Sequence, residues 1–340
     1  MPTQHKKNLT PIDEYKFELS KELEEMAREE LRETEEMRKH AIQALRDFIW
    51  KNDKIISTRV DAKFLLRYLR FRKFSVPMAE EAIERLLALK VGSYGNHWMN
   101  NLSIEKPSVL KLLEAGFIFI LPQRDYMGRL IIFYRPGVSN PKSPTVGYDI
   151  LILTTMVYEY LLEDEENQIR GVVHIGDAKN IKMSHFTVFS PQFMCRVGKN
   201  TEKTLPMRHK AFHIVNVHRS INFISDLILN RMSEKLRKRV HFYPSFDEFK
   251  AIDQAMLPKE YGGTVPMSKM IDDMKQRLMR NHQNAQLYNQ MRANPEQYPR
   301  AVLEGSVKSL QYSLNSTEIF EKFNDDIYGL QGSFRKLEID

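Results

Sequence analysis

The chain has 340 residues, a net charge of +7 and one cysteine, with 42% hydrophobic and 28% charged residues. This composition is that of an ordinary soluble protein, and a single cysteine excludes an internal disulfide framework and fits a reducing compartment. Residues 1–11 lack the apolar stretch of a signal peptide, and the most apolar helix candidate, Ile150–Leu162, is shorter than the ~20 residues of a membrane span. We therefore expect a cytoplasmic protein whose contact with membranes is peripheral and reversible.

The first part of the chain is predicted to be helical. Residues Asp13–Asn52 contain no Gly or Pro and repeat apolar residues at helical spacing, which predicts one long helix with a solvated acidic face. A second helix is predicted to open near Thr58, with Asp61 as a capping partner. A third is predicted near Ser75, with a proline in its first turn.

The pattern then changes to short apolar runs that alternate with helices. Two runs, Gly116–Pro122 and Leu130–Tyr134, flank a turn and predict a hairpin. Further strands and helices are predicted at Val146–Leu162 (helix), Gly171–Gly176 (strand), Ser184–Glu202 (helix), Ala211–Val217 (strand), Ser220–Arg239 (helices) and Val240–Tyr243 (strand). Such alternation predicts a mostly parallel sheet covered by helices on both faces.

After Gly263 the chain becomes polar, and Met, Asn and Gln become common. Ser268–Met291 predicts one helix, followed by loosely ordered chain. The predicted fold is therefore α/β, with an all-helical N-terminal domain over residues 1–98, a sheet domain over 99–265 and a helical or partly ordered tail over 266–340.

The sequence offers few signals of enzyme chemistry. It contains no glycine-rich phosphate loop, nucleophile elbow or metal-binding helix motif, so we expect no enzyme activity, no cofactor and no metal. Asp177, Ser184 and His185 lie close in sequence and suggest a hydrolase, but no pattern places the serine at a strand-to-helix turn. The hydrolase is a minor alternative hypothesis.

The helix Val146–Leu162 is apolar nearly all round. One stripe can pack on the sheet, and a second stripe carries three hydroxyl groups: Leu151, Thr154, Thr155 and Tyr158. Apolar walls with a few polar groups are typical of a ligand cavity. Ordinary core, in which the hydroxyls bond to their own helix, explains the pattern equally well.

Positive charge is concentrated in one part of the chain. Between Arg196 and Arg239, eleven lysines and arginines face three acidic residues, a local surplus larger than that of the whole chain. Such a field attracts nucleic acid or anionic headgroups. Nucleic acid is disfavoured because Phe212 and Phe223 are the only aromatic residues there to stack on bases.

An apolar helix lies within this basic stretch. Ile221, Ile224, Leu227 and Ile228 share one face of Ser220–Leu229, and a basic helix follows directly. This arrangement favours an element that dips into a bilayer edge while cations hold headgroups. A core helix followed by a solvated basic helix is the alternative.

The segment Leu257–Gly263, with the sequence Leu-Pro-Lys-Glu-Tyr-Gly-Gly, resembles the signature that closes the lipid-binding domain of the CRAL-TRIO family. Other elements of that family occur in the expected order: Leu66–Phe74, Asp125 with Gly128 and Arg129, Asp177 with His185, and Phe212–Asn216. The likeness covers roughly residues 61–263 and is specific as a set. The ending Gly332–Leu337 is similar to that of many insect members of the tocopherol-transfer-like branch.

The resemblance implies a lipid cavity floored by the sheet and closed by a mobile gate helix at Ser220–Met232. It implies that the ligand is contacted by Leu151, Thr154, Thr155, Tyr158, Val172, Met183, Phe189, Leu205, Ile221, Ile224, Leu227 and Ile228. It also implies that a phosphoinositide headgroup is held by Arg208, Lys210, Lys235 and Arg239.

On these grounds we expect an intracellular, non-enzymatic carrier of one hydrophobic molecule, such as a tocopherol, retinoid, carotenoid or similar isoprenoid. Exchange of that molecule is expected at anionic membranes that contain phosphoinositides, without nucleic acid as a partner. The alternative is a phosphoinositide-binding adaptor that recruits protein partners through its helical ends.

Overall fold

A computed structural model of the chain describes residues 7–188, 191–217, 229 and 233–306, with only the backbone at 191, 192, 194 and 195. Its helices are α1 (Lys21–Leu31), α2 (Glu35–Lys51), α3 (Ala62–Phe71), α4 (Val76–Val91), α5 (Pro107–Glu114), α6 (Val146–Leu161), α7 (Glu165–Arg170), α8 (Pro191–Thr204), α9 (Glu234–Arg237), α10 (Met267–Arg280), α11 (His282–Gln290) and α12 (Arg300–Leu303). Its strands are β1 (Ile55–Ser57), β2 (Ile118–Ile120), β3 (Leu130–Tyr134), β4 (Val172–Asp177), β5 (His209–Val215), β6 (Val240–Tyr243) and β7 (Arg292–Ala293). Within these described ranges, no helix combines the length and the apolarity that crossing a membrane requires.

The prediction of one helix over Asp13–Asn52 is wrong, because α1 and α2 meet at a sharp break. Arg32 adopts the left-handed conformation with φ 65°, and the backbone N–H groups of Arg32 and Glu33 donate back to the last turn of α1. The Thr34 side chain then accepts from the Met37 N–H and begins α2. The break turns Glu33 into the protein interior.

The next two helices begin at local signals that the sequence carries. Asp61 accepts from the Phe64 N–H and begins α3, three residues after the predicted start at Thr58. Helix α4 begins after Ser75 with Pro77 in its first turn, as predicted. The short strand β1 precedes them and pairs with β7 near the other end of the described chain.

The central sheet has the strand order β2-β3-β4-β5-β6. Strands β2 and β3 form the predicted antiparallel hairpin, and β3 to β6 are parallel neighbours. The mostly parallel sheet is therefore confirmed. Because these strands run in one direction, the amino ends of β3 to β6 lie along a single edge of the sheet.

The two faces of the sheet are covered differently. On one face, Phe133 stacks with Phe246 at 6.1 Å between ring centroids and contacts Tyr261 at 5.2 Å, so the segment after β6 closes that side. On the other face, α6 packs with Leu153 and Val157 fully buried. The ligand site described below lies on this second face.

The prediction of one helix over Ser268–Met291 is also wrong, because α10 and α11 are separated at Asn281, whose φ/ψ of −91°/14° interrupts the helix. One buried hydrophobic cluster contains Leu45, Phe133 and Met274, which come from all three predicted segments. The domain boundaries near residues 98 and 265 stay a prediction. Residues 307–340 lie outside the described part of the chain, and so does the Gly332–Leu337 motif.

Buried arginines connect the helical region to the sheet region. The Arg70 guanidinium is fully buried and contacts the Glu33 carboxylate at 2.8 Å and the Glu165 carboxylate at 2.9 Å. Arg67, one turn earlier in α3, contacts Glu159 of α6 at 2.9 Å. These pairs fix α3 against both the α1–α2 break and the α6–α7 region.

Replacing Arg70 with Met is expected to lower the free energy of unfolding by about 3–5 kcal/mol, because it leaves the Glu33 carboxylate buried without its main cation. Urea unfolding measures this change. The control is Arg28→Met, because Arg28 pairs with Glu25 at the surface, where both side chains are more than half exposed. That variant is expected to lose no more than about 1 kcal/mol, and equal losses in the two variants would contradict the role of the buried pairs.

Candidate ligand-binding site

Side chains of α6 and of one sheet face meet along a partly exposed strip, which we call the trough. In β5, Ala211, His213 and Val215 are buried on the far face, whereas Phe212 and Ile214 are half-buried on the face toward α6. We define the trough by its half-buried α6 residues and by the sheet residues on the facing side: Leu151, Thr154, Thr155, Tyr158, Tyr134, His174, Phe212 and Ile214. The predicted second stripe of α6 is half-buried throughout, and its contact with a ligand stays a prediction.

Gly176 lies on the trough face of β4, between Tyr134 of β3 and Ile214 of β5 in the sheet register. A Cβ atom added there would approach the Ile214 Cδ1 atom to 3.2 Å, which is a tight contact. The glycine therefore makes room for the Ile214 side chain, which lies close to the β4 backbone at this point.

The other predicted ligand-contacting residues differ in how far they are buried. Val172 is fully buried in β4, and Leu205 is half-buried against the core after α8. Met183 lies 58% exposed in a short 3-10 helix after β4, so it is outside the packed interior. Five predicted residues lie outside the described part of the chain: Phe189, Ile221, Ile224, Leu227 and Ile228.

Four polar side chains gather in the trough. The Tyr134 and Tyr158 hydroxyl oxygens lie 2.6 Å apart, and His174 Nε2 lies 2.8 Å from His209 Nδ1. The His174 ring also stacks on Phe212 at 4.4 Å. Sequence reasoning identified only Tyr158 among them, although strand alternation places His174 on the same face as Val172.

Burial keeps these four groups uncharged at neutral pH. It lowers the pKa of His209 to about 4, and it lowers the pKa of His174 as well, with a further contribution from His209. It raises the pKa of Tyr158 to about 12 and that of Tyr134 further. The polar part of the trough therefore carries hydrogen-bonding groups without formal charge.

The four predicted headgroup residues, Arg208, Lys210, Lys235 and Arg239, lie near the amino ends of β5 and β6. We call these four residues the cationic anchor. Two of them share one carboxylate within the protein: Glu30 of α1 contacts Arg208 at 2.5 Å and Lys210 at 3.1 Å. In the described ranges, Lys235 and Arg239 form no salt bridge.

Other cations lie close to the anchor. Partial desolvation lowers the pKa of the Lys235 ammonium, and the positive charges of Arg239, Lys73, Arg208 and Arg72 lower it further. Arg72 and Lys73 follow α3 and were not among the predicted headgroup residues. Their position within the Leu66–Phe74 motif was the available signal.

Helix α1 lies along the amino edge of the sheet. Its Glu22 contacts Arg170, just before β4, at 2.8 Å, and its Glu30 contacts Arg208, just before β5. Burial alone would raise the pKa of Glu30, but the hydrogen bonds from Arg208 and Lys210 lower it, so this carboxylate is ionised. An intramolecular anion thus occupies part of the anchor.

The predicted hydrolase residues are not brought together as a catalytic set. Asp177 accepts from the Tyr261 hydroxyl at 2.6 Å and from the Asn216 amide at 2.8 Å. The His185 ring bonds to backbone atoms of its own turn and of Ser139. The geometry gives the hydrolase hypothesis no support, and no group of three His, Cys, Asp or Glu that could hold a metal occurs among the described residues.

Replacing His209 with Gln, which does not titrate, is expected to weaken the pH dependence of stability. The unfolded chain binds a proton at this histidine near pH 6.5, whereas the folded pKa is about 4. Stability is therefore highest above pH 6.5 and falls as the pH drops toward 4, by about 2 kcal/mol for this group between pH 7 and pH 5.

Urea unfolding of wild type and variant at pH 7 and pH 5 measures the difference. His97 is exposed, so His97→Gln serves as the control and is expected to keep the wild-type pH dependence. If His209→Gln also keeps it, His209 is not held neutral in the folded protein.

One protein-family model and several known proteins are similar to this chain. A family model described as CRAL/TRIO domain matches residues 114–263, from the end of α5 to the Leu257–Gly263 motif. "Alpha-tocopherol transfer protein-like" of Mus musculus is 34% identical over 255 residues, 74% of this chain and 72% of that protein. "Clavesin-1" of Pongo abelii is 30% identical over 252 residues, 73% and 70% of the two chains.

A solved structure titled "Crystal structure of Sfh5" aligns with a TM-score of 0.48 and 11% identity, over 75% of this chain and 92% of that one. The family model and the two sequence relatives cover the elements that form the trough and the anchor. The chain belongs to the CRAL/TRIO family.

Proposed function

We propose that this protein carries one hydrophobic small molecule in the trough and exchanges it at membranes that contain phosphoinositides. A tocopherol, retinoid, carotenoid or similar isoprenoid is the proposed class of cargo. The observation that carries the proposal is the half-buried face of α6 opposite the sheet, with uncompensated positive charge at the nearby strand ends. The name of the mouse relative, which refers to tocopherol transfer, supports the same class of cargo.

The trough provides the main source of affinity in this proposal. Its walls present apolar surface from Leu151, Phe212 and Ile214, and burial of apolar area contributes about 25 cal/mol per Å² before the entropic cost of binding. The proposed gate, at residues 220–232, follows β5 in the chain. It connects β5 in sequence to the segment that carries the anchor residues Lys235 and Arg239.

The anchor provides reversible adhesion. Each cation near an anionic leaflet contributes roughly 1 kcal/mol, so a few cations give weak binding that permits release. Lys235 is exposed and Arg239 half-buried, without carboxylate partners in the described ranges. In the proposed mechanism, a headgroup held there pulls on the adjoining gate segment and favours its open form.

The charge-reversal variant Lys235→Glu/Arg239→Glu is expected to transfer ligand between phosphoinositide-containing vesicles at least about tenfold more slowly, because attraction to the leaflet becomes repulsion. Transfer of a fluorescent lipid between donor and acceptor vesicles measures the rate. Lys259→Glu/Lys269→Glu makes the same charge change at exposed sites outside the anchor and is the control. Wild-type transfer by the anchor variant would overturn the membrane mechanism.

Native mass spectrometry of freshly purified protein separates the carrier from the adaptor alternative. The carrier is expected to retain a co-purified lipid at one copy per chain. An empty trough together with a stably bound protein partner would instead support the adaptor and contradict the carrier.

Glu30→Gln is expected to tighten binding to phosphoinositide-containing vesicles by about threefold. The substitution removes the carboxylate that contacts Arg208 and Lys210, and an exposed ion pair of this kind contributes up to about 1 kcal/mol. Vesicle co-sedimentation measures the change in affinity.

Glu25→Gln is the matched control, because Glu25 lies in the same helix and pairs only with the exposed Arg28 among the described residues. Both variants change the net charge equally, so any general electrostatic effect cancels. Equal affinities of the two variants would show that Glu30 does not compete with the headgroup.

A further inference from the structure

The trough contains a polar cluster that the membrane anchor does not use. His174 is only 2% exposed, and its neighbours are the His209 ring, the Phe212 ring and the two tyrosines. Its Nε2 atom is paired with His209, but its buried Nδ1 atom has no hydrogen-bond partner in the described part of the chain. A buried polar atom without a partner is costly, and in a binding site it indicates a place for a ligand group.

The tautomers of His174 and His209 determine whether the ligand group must donate or accept a hydrogen bond. If His174 Nε2 donates to His209, then His174 Nδ1 is a bare acceptor. If His209 Nδ1 donates instead, His174 Nδ1 carries the hydrogen and needs an acceptor. A hydroxyl group satisfies either case because it can both donate and accept.

The neighbouring tyrosine pair has the same property. One hydroxyl of Tyr134 and Tyr158 donates to the other across 2.6 Å, which leaves the second hydrogen for another acceptor. Thr154 and Thr155 add two more hydroxyls on the same wall of the trough. The cluster thus offers several neutral hydrogen-bonding groups to one small head group.

The cluster does not favour a charged head group. Its own members are uncharged, and the nearby Arg239 guanidinium donates to the His209 backbone carbonyl at the end of the strand. A carboxylate placed among these neutral groups would lose its hydration without gaining a cation. A pure hydrocarbon would leave His174 Nδ1 unsatisfied.

We propose that His174, with Tyr134 and Tyr158, forms a polar subsite for the hydroxyl group of the carried molecule, so that the cargo is an uncharged lipid alcohol or phenol. This inference rests on the proposed carrier function and narrows the class of cargo. The apolar part of the ligand then lies along Leu151, Phe212 and Ile214, with its head directed toward β4.

The test compares three pools of isoprenoids with the same farnesyl, geranylgeranyl and retinyl skeletons: the alcohols, the carboxylic acids and the hydrocarbons without oxygen. Each pool is offered to delipidated full-length protein, and native mass spectrometry reads the bound species. Wild type is expected to bind the alcohols at least about tenfold more tightly than either other pool, since only they satisfy the cluster.

His174→Phe keeps a ring that can stack on Phe212 but removes both nitrogens. It is expected to bind the hydrocarbons as wild type does and to lose most of the preference for alcohols. Tyr134→Phe is a second variant with the same expected direction and a smaller effect. His241→Phe is the control, because His241 is exposed and shares the opposite sheet face with His213.

Two results would contradict the proposals in different ways. If wild type prefers acids or hydrocarbons, or if folded His174→Phe keeps the preference for alcohols, the polar subsite is wrong and the carrier stands. If no pool binds and the protein also purifies without lipid, the carrier itself is wrong.

Discussion

The arrangement of the helices against the sheet depends on the ion pairs that buried arginines form with carboxylates. Arginine keeps its charge in proteins, so Arg67 and Arg70 inside the core require anions wherever the chain can supply them. Glu33 comes from the α1–α2 break, and Glu159 and Glu165 come from α6 and α7. Satisfying both arginines therefore sets the position of the wall of the trough and, through the break, the direction of α1 along the sheet edge.

This dependence explains which parts of the fold were predictable. Strand runs, the hairpin and the starts of α3 and α4 follow from local patterns, among them the Asp61 cap and Pro77 in the first turn of α4. The break at Arg32 has only one local signal, the N-cap residue Thr34, with good helix formers on both sides of it. It is explained by the Glu33–Arg70 contact, between residues 37 positions apart, which a helical periodicity does not reveal.

The candidate site was likewise predictable in part, where local patterns carry it, and not where it depends on long-range contacts. Helical periodicity was sufficient to gather Leu151, Thr154 and Tyr158 on one face of α6. The pairing of His174 with His209 depends on the register between β4 and β5, and the predicted β5 began two residues after His209. The family resemblance supplied Arg208 and Lys210, but it gave no indication of Glu30, which lies 178 residues before Arg208.

The contact of Glu30 with the anchor also affects how the proposed membrane binding responds to ionic strength. A cation that exchanges an internal carboxylate for a lipid phosphate replaces one screened attraction with another, so salt weakens the initial and final states together. Cations without an internal carboxylate partner, such as Lys235 and Arg239, gain an attraction only in the bound state, so salt weakens their contribution to binding in full. If the anchor holds an anionic membrane as proposed, adhesion declines less steeply with added salt than it would for four unpaired basic residues.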